Sequence, residues 1–185
     1  PYMSTTNPYV GSSTSGGAYV RRGEVRGFGY DAGGHGAFGD SDIISVAIDL
    51  DNLKIYWAKN NTWITMGGNV GDPTSGATGT GALSMDPITT SGPVAFMVGN
   101  DNPTSLNFIA NFGQDSSFFG ATSEQNNTDG NSIGDFYYTP PTGYMALCDK
   151  NISDVTIADP GDHFKAVLYN GTGASNAVTG VGFQP

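Results

Sequence analysis

The chain is 185 residues long, 37% hydrophobic and only 13% charged, with 28 glycines and a formal net charge of −10. That length fits one domain of ordinary size, or one domain and a fragment, and the Gly, Ser, Thr, Asn and Asp that replace charge favour short strands and turns over long amphipathic helices. The acidic balance argues against a nucleic-acid partner, the single Cys148 excludes an intrachain disulfide, and no apolar run approaches the roughly 20 residues that span a bilayer.

Residues 1–41 are rich in Gly, Ser and Tyr, and "YVRRGEVRGFGYD" predicts a strand around Ala18 to Tyr30 interrupted by Gly23, Gly27 and Gly29. "DAGGHGAFGDSD" is a loop by composition. The strongest signal follows in "DIISVAIDLDNLKIYWAK". Ile44, Val46, Ile48 and Leu50 alternate with Ser45, Ala47 and Asp49, Asp51-Asn52 reads as a two-residue turn, and Leu53, Ile55 and Trp57 continue the apolar face on the return. This is a β-hairpin, closed by "NNTW", with Trp63 placed to fold back as a lid. Residues 65–92 read as one long Gly/Thr/Ser/Pro loop, a length that is often functional.

"GPVAFMVGND" and "SLNFIANFGQ" read as a second hairpin-like pair. "GDFYYTPPTGYMALCDK" is an extended segment stopped at Pro140-Pro141, then a short strand to Cys148, a small buried hydrophobe by its neighbours. Residues 149–162 read as a linker, and 163–185 begin another strand pair with a turn at Asn170 to Gly173.

Four blocks occur in order between residues 39 and 148: "GDSDIISVAIDLDN", "KNNTW", "SLNFIANFGQDSSFF" and "PPTGYMALC". Together they resemble the SPRY domain in the variety carried by tailed-phage structural proteins. Ser45 stands where that family usually has Gly, and the turn at Asp51-Asn52-Leu53 lacks its usual Gly. The resemblance implies an all-β fold, an antiparallel β-sandwich of the concanavalin-like or SPRY jelly-roll kind, incomplete in this chain. It implies a SPRY-like sandwich over 1–148 with its N-terminal strands missing, a linker over 149–162, and the opening strands of a following β domain over 163–185. The sequence thus looks like a window cut from a longer polypeptide, with its missing strands expected elsewhere in that polypeptide or in neighbouring subunits. In this reading the "NFG" strand lies in the core of one sheet, Phe112 with Phe118 or Phe119 plugs the sandwich edge, and 121–135 is a surface loop.

The function implied is a non-enzymatic structural or adhesion module of a phage virion protein, in tail, fibre or capsid-associated position, located in the extracellular particle. Its partners are other virion subunits or other segments of the same polypeptide. The alternative is a carbohydrate-binding module recognising host-surface glycan; a glycan-degrading enzyme on the same fold class ranks third. No Gly-x-Ser-x-Gly elbow or His-Glu-x-x-His pattern occurs, and Asp49 and Asp51 flanking a hairpin turn are ordinary turn chemistry. The candidate ligand-binding residues are Tyr30, Asp31, His35, Trp63, Asn100, Asp101 and Asn102, which pair aromatic faces with amide and carboxylate groups in predicted loops. Trp63 and Asn102 are expected on one exposed surface. No cofactor is expected; calcium is the one cation considered, at Asp129, Asn131 and Asp135, although their spacing departs from an EF-hand loop.

Overall fold

The computed structural model describes residues 16–85, 95–98, 107–152, 164, 166–168 and 170–175. The chain divides into two compact units, Pro1–Leu147 and Cys148–Pro185. The described residues of the first unit carry antiparallel β-sheets and almost no helix. Among the described residues of the second unit, a 3-10 turn, Asp149–Asn151, follows Cys148, which is half-buried rather than enclosed.

The first sheet is a meander of β1 (Gly17–Val20), β2 (Glu24–Gly27) and β3 (Tyr30–Ala32). Sequence reading expected one interrupted strand here. The glycines instead fall in the reversals between strands, at Gly23 and Gly29, and the register pairs Tyr19 with Val25 and Arg26 with Asp31. Val25 is fully buried and carries this sheet into the core.

The second sheet is built on the predicted hairpin of β4 (Ile44–Asp49) and β5 (Lys54–Lys59). Val46 lies opposite Trp57 and Ile48 opposite Ile55, so the alternating apolar residues share one face. Ile55 and Trp57 are buried there, with Ile44, Val46, Ile48 and Leu53 packed against them. Leu50 departs from the expected face: it belongs to the turn and is exposed. The turn spans four residues, 50–53, and positive φ falls on Leu53. Asp49 fixes it, with Oδ1 accepting from Asn52 N at 2.9 Å and Oδ2 from Asn52 Nδ2 at 2.8 Å.

β5 is also buried on its other face, through Tyr56 and Ala58 opposite Ala47 and Ser45. Both of its edges are paired. β4 takes one; β6 (Thr62–Trp63) and β9 (Leu83–Ser84) share the other.

The expected long loop after residue 64 is not one loop. β7 (Thr65–Met66) and β8 (Asn69–Val70) form a tight hairpin through Gly67-Gly68, both at positive φ, as a primed two-residue turn demands. Asp72 then caps a kinked 3-10 segment, Pro73–Thr78, accepting from Thr74 N at 2.9 Å. The chain returns as β9, and Met66, Leu83 and Met85 join the core. The capped segment covers the second face of β5: Tyr56 Oη lies 3.3 Å from Ser75 Oγ, and Tyr144 Oη donates to Pro73 O at 3.1 Å.

In its described parts, 95–98 and 107–114, the second predicted hairpin forms no strand; Gln114 alone makes an isolated parallel bridge, with Asp135. The two parts meet instead through side chains, Phe96 edge-on to Phe112 at 5.5 Å. Residues 99–106, including the predicted turn, lie outside the described residues.

Candidate functional site

The loop 33–43 is fastened to the end of the β4–β5 hairpin by one carboxylate. Asp42 accepts from Gly39 N at 2.8 Å and Asn60 Nδ2 at 2.6 Å, and pairs with Lys59 Nζ at 3.2 Å. The Gly39 amide, followed by the Asn60 amide and Lys59, holds its pKa below the ordinary carboxylate value. Asn60 completes the clasp by accepting from Ile43 N at 2.9 Å, and Lys59 also donates to Ala37 O at 2.7 Å. The lysine charge is therefore matched before any ligand arrives.

This clasp leaves an open cleft of about 500 Å³ lined by His35, Lys59, Asn60, Thr62, Trp63 and Thr65, with glycines from the loop. His35 spans it. Its Nδ1 lies 2.8 Å from Thr65 O, which only accepts, so Nδ1 carries the hydrogen. In the neutral ring Nε2 is then the acceptor, 3.4 Å from the Tyr30 hydroxyl. Trp63 is half-buried and meets Tyr56 edge-on at 6.4 Å, so part of its ring serves the fold and part the cleft.

Of the residues predicted for ligand binding, His35 and Trp63 thus line one cleft, and Tyr30 stands behind His35. Asp31 is exposed and paired with Arg26 at 3.2 Å, and does not line the cleft. Asn100, Asp101 and Asn102 lie outside the described residues. Within the "KNNTW" turn sequence reading singled out Trp63 and not Lys59, Asn60 or Thr62, which line the cleft beside it.

The expected cation residues act as loop staples. Asp129 is buried, its Oδ1 accepting from Asn131 N and Ile133 N and its Oδ2 from Ala146 N. Asp135 Oδ2 accepts from Ser116 N at 3.1 Å, while its Oδ1 is buried without a hydrogen-bond partner. Asn131 Nδ2 donates to Met145 Sδ. Among the described residues no group of three or more His, Cys, Asp or Glu is arranged to hold a metal ion.

Of the aromatic residues expected to plug an edge, Phe112 with Phe118 or Phe119, Phe112 and Phe119 are exposed, and the ring resting on the glycines is the half-buried Phe136. Phe136 sits between Gly113 and Gly134, so close that a Cβ on Gly113 would lie 2.9 Å from Phe136 Cζ and one on Gly134 2.6 Å from Phe136 Cε2. Ala146 closes the same contact. Phe112 and Phe119 are exposed, Phe119 at 83%, and Phe118 is half-buried against Tyr137 at 6.0 Å. Phe118 and Phe119 both take left-handed backbone, φ 51 and 59, which costs an L-residue on the order of 1–2 kcal/mol each. Asp115 holds them there. Its Oδ1 accepts from Ser117 N and Ser117 Oγ and its Oδ2 from Phe119 N at 2.7 Å. The result is a run of three rings, Phe118, Tyr137 and Tyr138, the last two edge-on at 4.8 Å, with the exposed Phe119 next to Phe118 in the chain.

Comparison with known proteins gives no match: no family model, no curated protein and no solved structure corresponds to this chain. The cleft and the aromatic run are therefore read from their own chemistry. Neither cleft nor run contains a Cys, and the cleft's one imidazole is engaged at both nitrogens. Cleft and run both present ring faces, amides and hydroxyls on loops held by side-chain to backbone bonds.

Proposed function

We propose that this chain is a non-enzymatic structural or adhesion module of a tailed-phage virion protein, built as a SPRY-type antiparallel β-sandwich. One observation carries the reading: four sequence blocks of that family type occur in order, the first containing β4 and the second β6, the two strands that flank β5 in a single antiparallel sheet. The asparagine of the "KNNTW" block is supported in its place by chemistry, since Asn60 clasps the loop that frames the cleft. Antibodies raised against the recombinant chain should decorate intact particles in immunogold electron microscopy. Purified particles that lack its peptides in mass spectrometry would overturn the reading.

A second reading, a carbohydrate-binding module, is favoured by the meeting of Trp63, His35, Asn60 and Thr62 in one cleft. A half-exposed indole offers a face to the C–H side of a sugar ring, and the amide and hydroxyl suit its O–H groups. On a glycan array the wild-type chain should give signal that Trp63→Ala removes. Signal that persists in Trp63→Ala would move recognition away from the cleft.

A further inference from the structure

We propose that Phe118, Phe119, Tyr137 and Tyr138 form a stacking ledge for a neutral oligosaccharide, a binding site separate from the Trp63 cleft. Two independent observations meet here. Phe119 is 83% exposed, although a large apolar ring gains nothing by facing water. Its backbone, and that of Phe118, is held in left-handed conformation by Asp115 and Ser117, so the exposure is imposed by a built turn and is not slack in the loop. Strain held in place by a network of this kind is found where a side chain must be presented.

The surroundings select the ligand. No Lys, Arg or His occurs between Lys59 and Lys150, so this stretch offers no cation to a phosphate, sulfate or carboxylate. Both Asp115 oxygens accept from the turn's own amides and hydroxyl, so this carboxylate is committed to shaping the turn. What the neighbourhood offers besides rings is amides, hydroxyls and the exposed Glu124 carboxylate, all of which can bond a sugar hydroxyl. Gln125 and Asn126 are exposed and their backbone amides are fixed by the buried Ser116 hydroxyl at 3.0 and 3.2 Å; Thr139 is exposed and bonded to Asn127. Rings beside amides, hydroxyls and a carboxylate, with no cation in the stretch, match a neutral pyranose, whose C–H face is apolar and whose rim is hydroxyl.

The inference rests on this geometry and not on residence in a virion, so the immunogold result and this one stand or fall separately. The full 185-residue chain is titrated with maltohexaose, cellohexaose and chitohexaose, each followed by NMR of the aromatic ring protons. At least one sugar should shift the rings of Phe118, Phe119, Tyr137 and Tyr138. Phe119→Ala should weaken that sugar at least about tenfold with unchanged melting temperature, while Phe119→Tyr keeps affinity within about threefold and Trp63→Ala leaves it intact. The proposal is overturned if no sugar shifts these rings, if Phe119→Ala binds like wild type, or if Phe119→Tyr loses binding as Ala does. Ring shifts produced by a proline-rich decapeptide and by none of the sugars would also overturn it, in favour of a peptide site.

Discussion

Gly113 takes φ +105, and an added methyl there would meet Phe136 Cζ at 2.9 Å and Ala146 Cβ at 3.1 Å. Both the backbone angle and the space forbid a side chain, so Gly113→Ala should destabilise by about 1–3 kcal/mol, read as a lowered urea midpoint. An unchanged midpoint would mean that Phe136 does not rest on this glycine. Trp57 is the converse case, a large ring buried on the core face of β5. Trp57→Ala should cost about 3–5 kcal/mol in the same measurement. The sequence made Trp57 legible because its neighbours alternate with period two. It did not show which phenylalanine rests on Gly113 and Gly134. Aromatic identity is visible in "DSSFFG" and "GDFYY" alike, but the left-handed angles of Phe118 and Phe119, which turn one ring outward, arise from hydrogen bonds to Asp115.

At the scale of elements, β4 and β5 could be read directly because each packs an alternating apolar face on the core, β5 burying Ile55 and Trp57 and β4 laying Ile44, Val46 and Ile48 against them, and hydrophobic alternation is the signature of that packing. The β7–β8 hairpin and β9 were hidden for the opposite reason. They are two residues long, too short for any period, and the glycines that make the turn are the same residues that suggested a loop. The cleft was half legible: Trp63 and His35 could be named, but the clasp that brings their loops together depends on Asp42, which lies 18 residues from Asn60. Asp42→Ala should release loop 33–43 while leaving the hairpin formed. In hydrogen exchange the Gly39 and Ile43 amides should speed up markedly, and the amides of β5 should keep their protection. Equal loss of protection across β5 would show that Asp42 supports the sheet itself.

For the whole molecule, charge sets a window of stability in pH. Asp49, held by the Asn52 side chain and then its amide, and Asp115, held by Ser117 and then the Phe119 amide, have pKa values below the ordinary 3.8, as does Asp42. Groups lowered in this way add stability that is present above about pH 4 and is lost as pH falls through their folded values. The tyrosines act at the other end. Tyr144 is pushed up to about 12, first by burial and then by the nearby Tyr56, Asp49 and Asp72. Tyr19 and Tyr138 are raised as well, each chiefly by burial. A raised tyrosine contributes fully below its ordinary value of 10.0, and that contribution disappears as pH climbs toward the folded value. Stability should therefore form a plateau from about pH 4 to 10 and fall on both sides. Tyr144→Phe separates the terms. It removes the hydroxyl that donates to Pro73 O at 3.1 Å, at a cost of about 0.5–1.5 kcal/mol across the plateau. It also removes the titration, so the decline between pH 10 and 12 should become shallower than in the wild type while the acid limb is unchanged. Urea midpoints measured from pH 3 to 12 on both proteins give the result, and an alkaline limb equally steep in Tyr144→Phe would assign the loss to other groups.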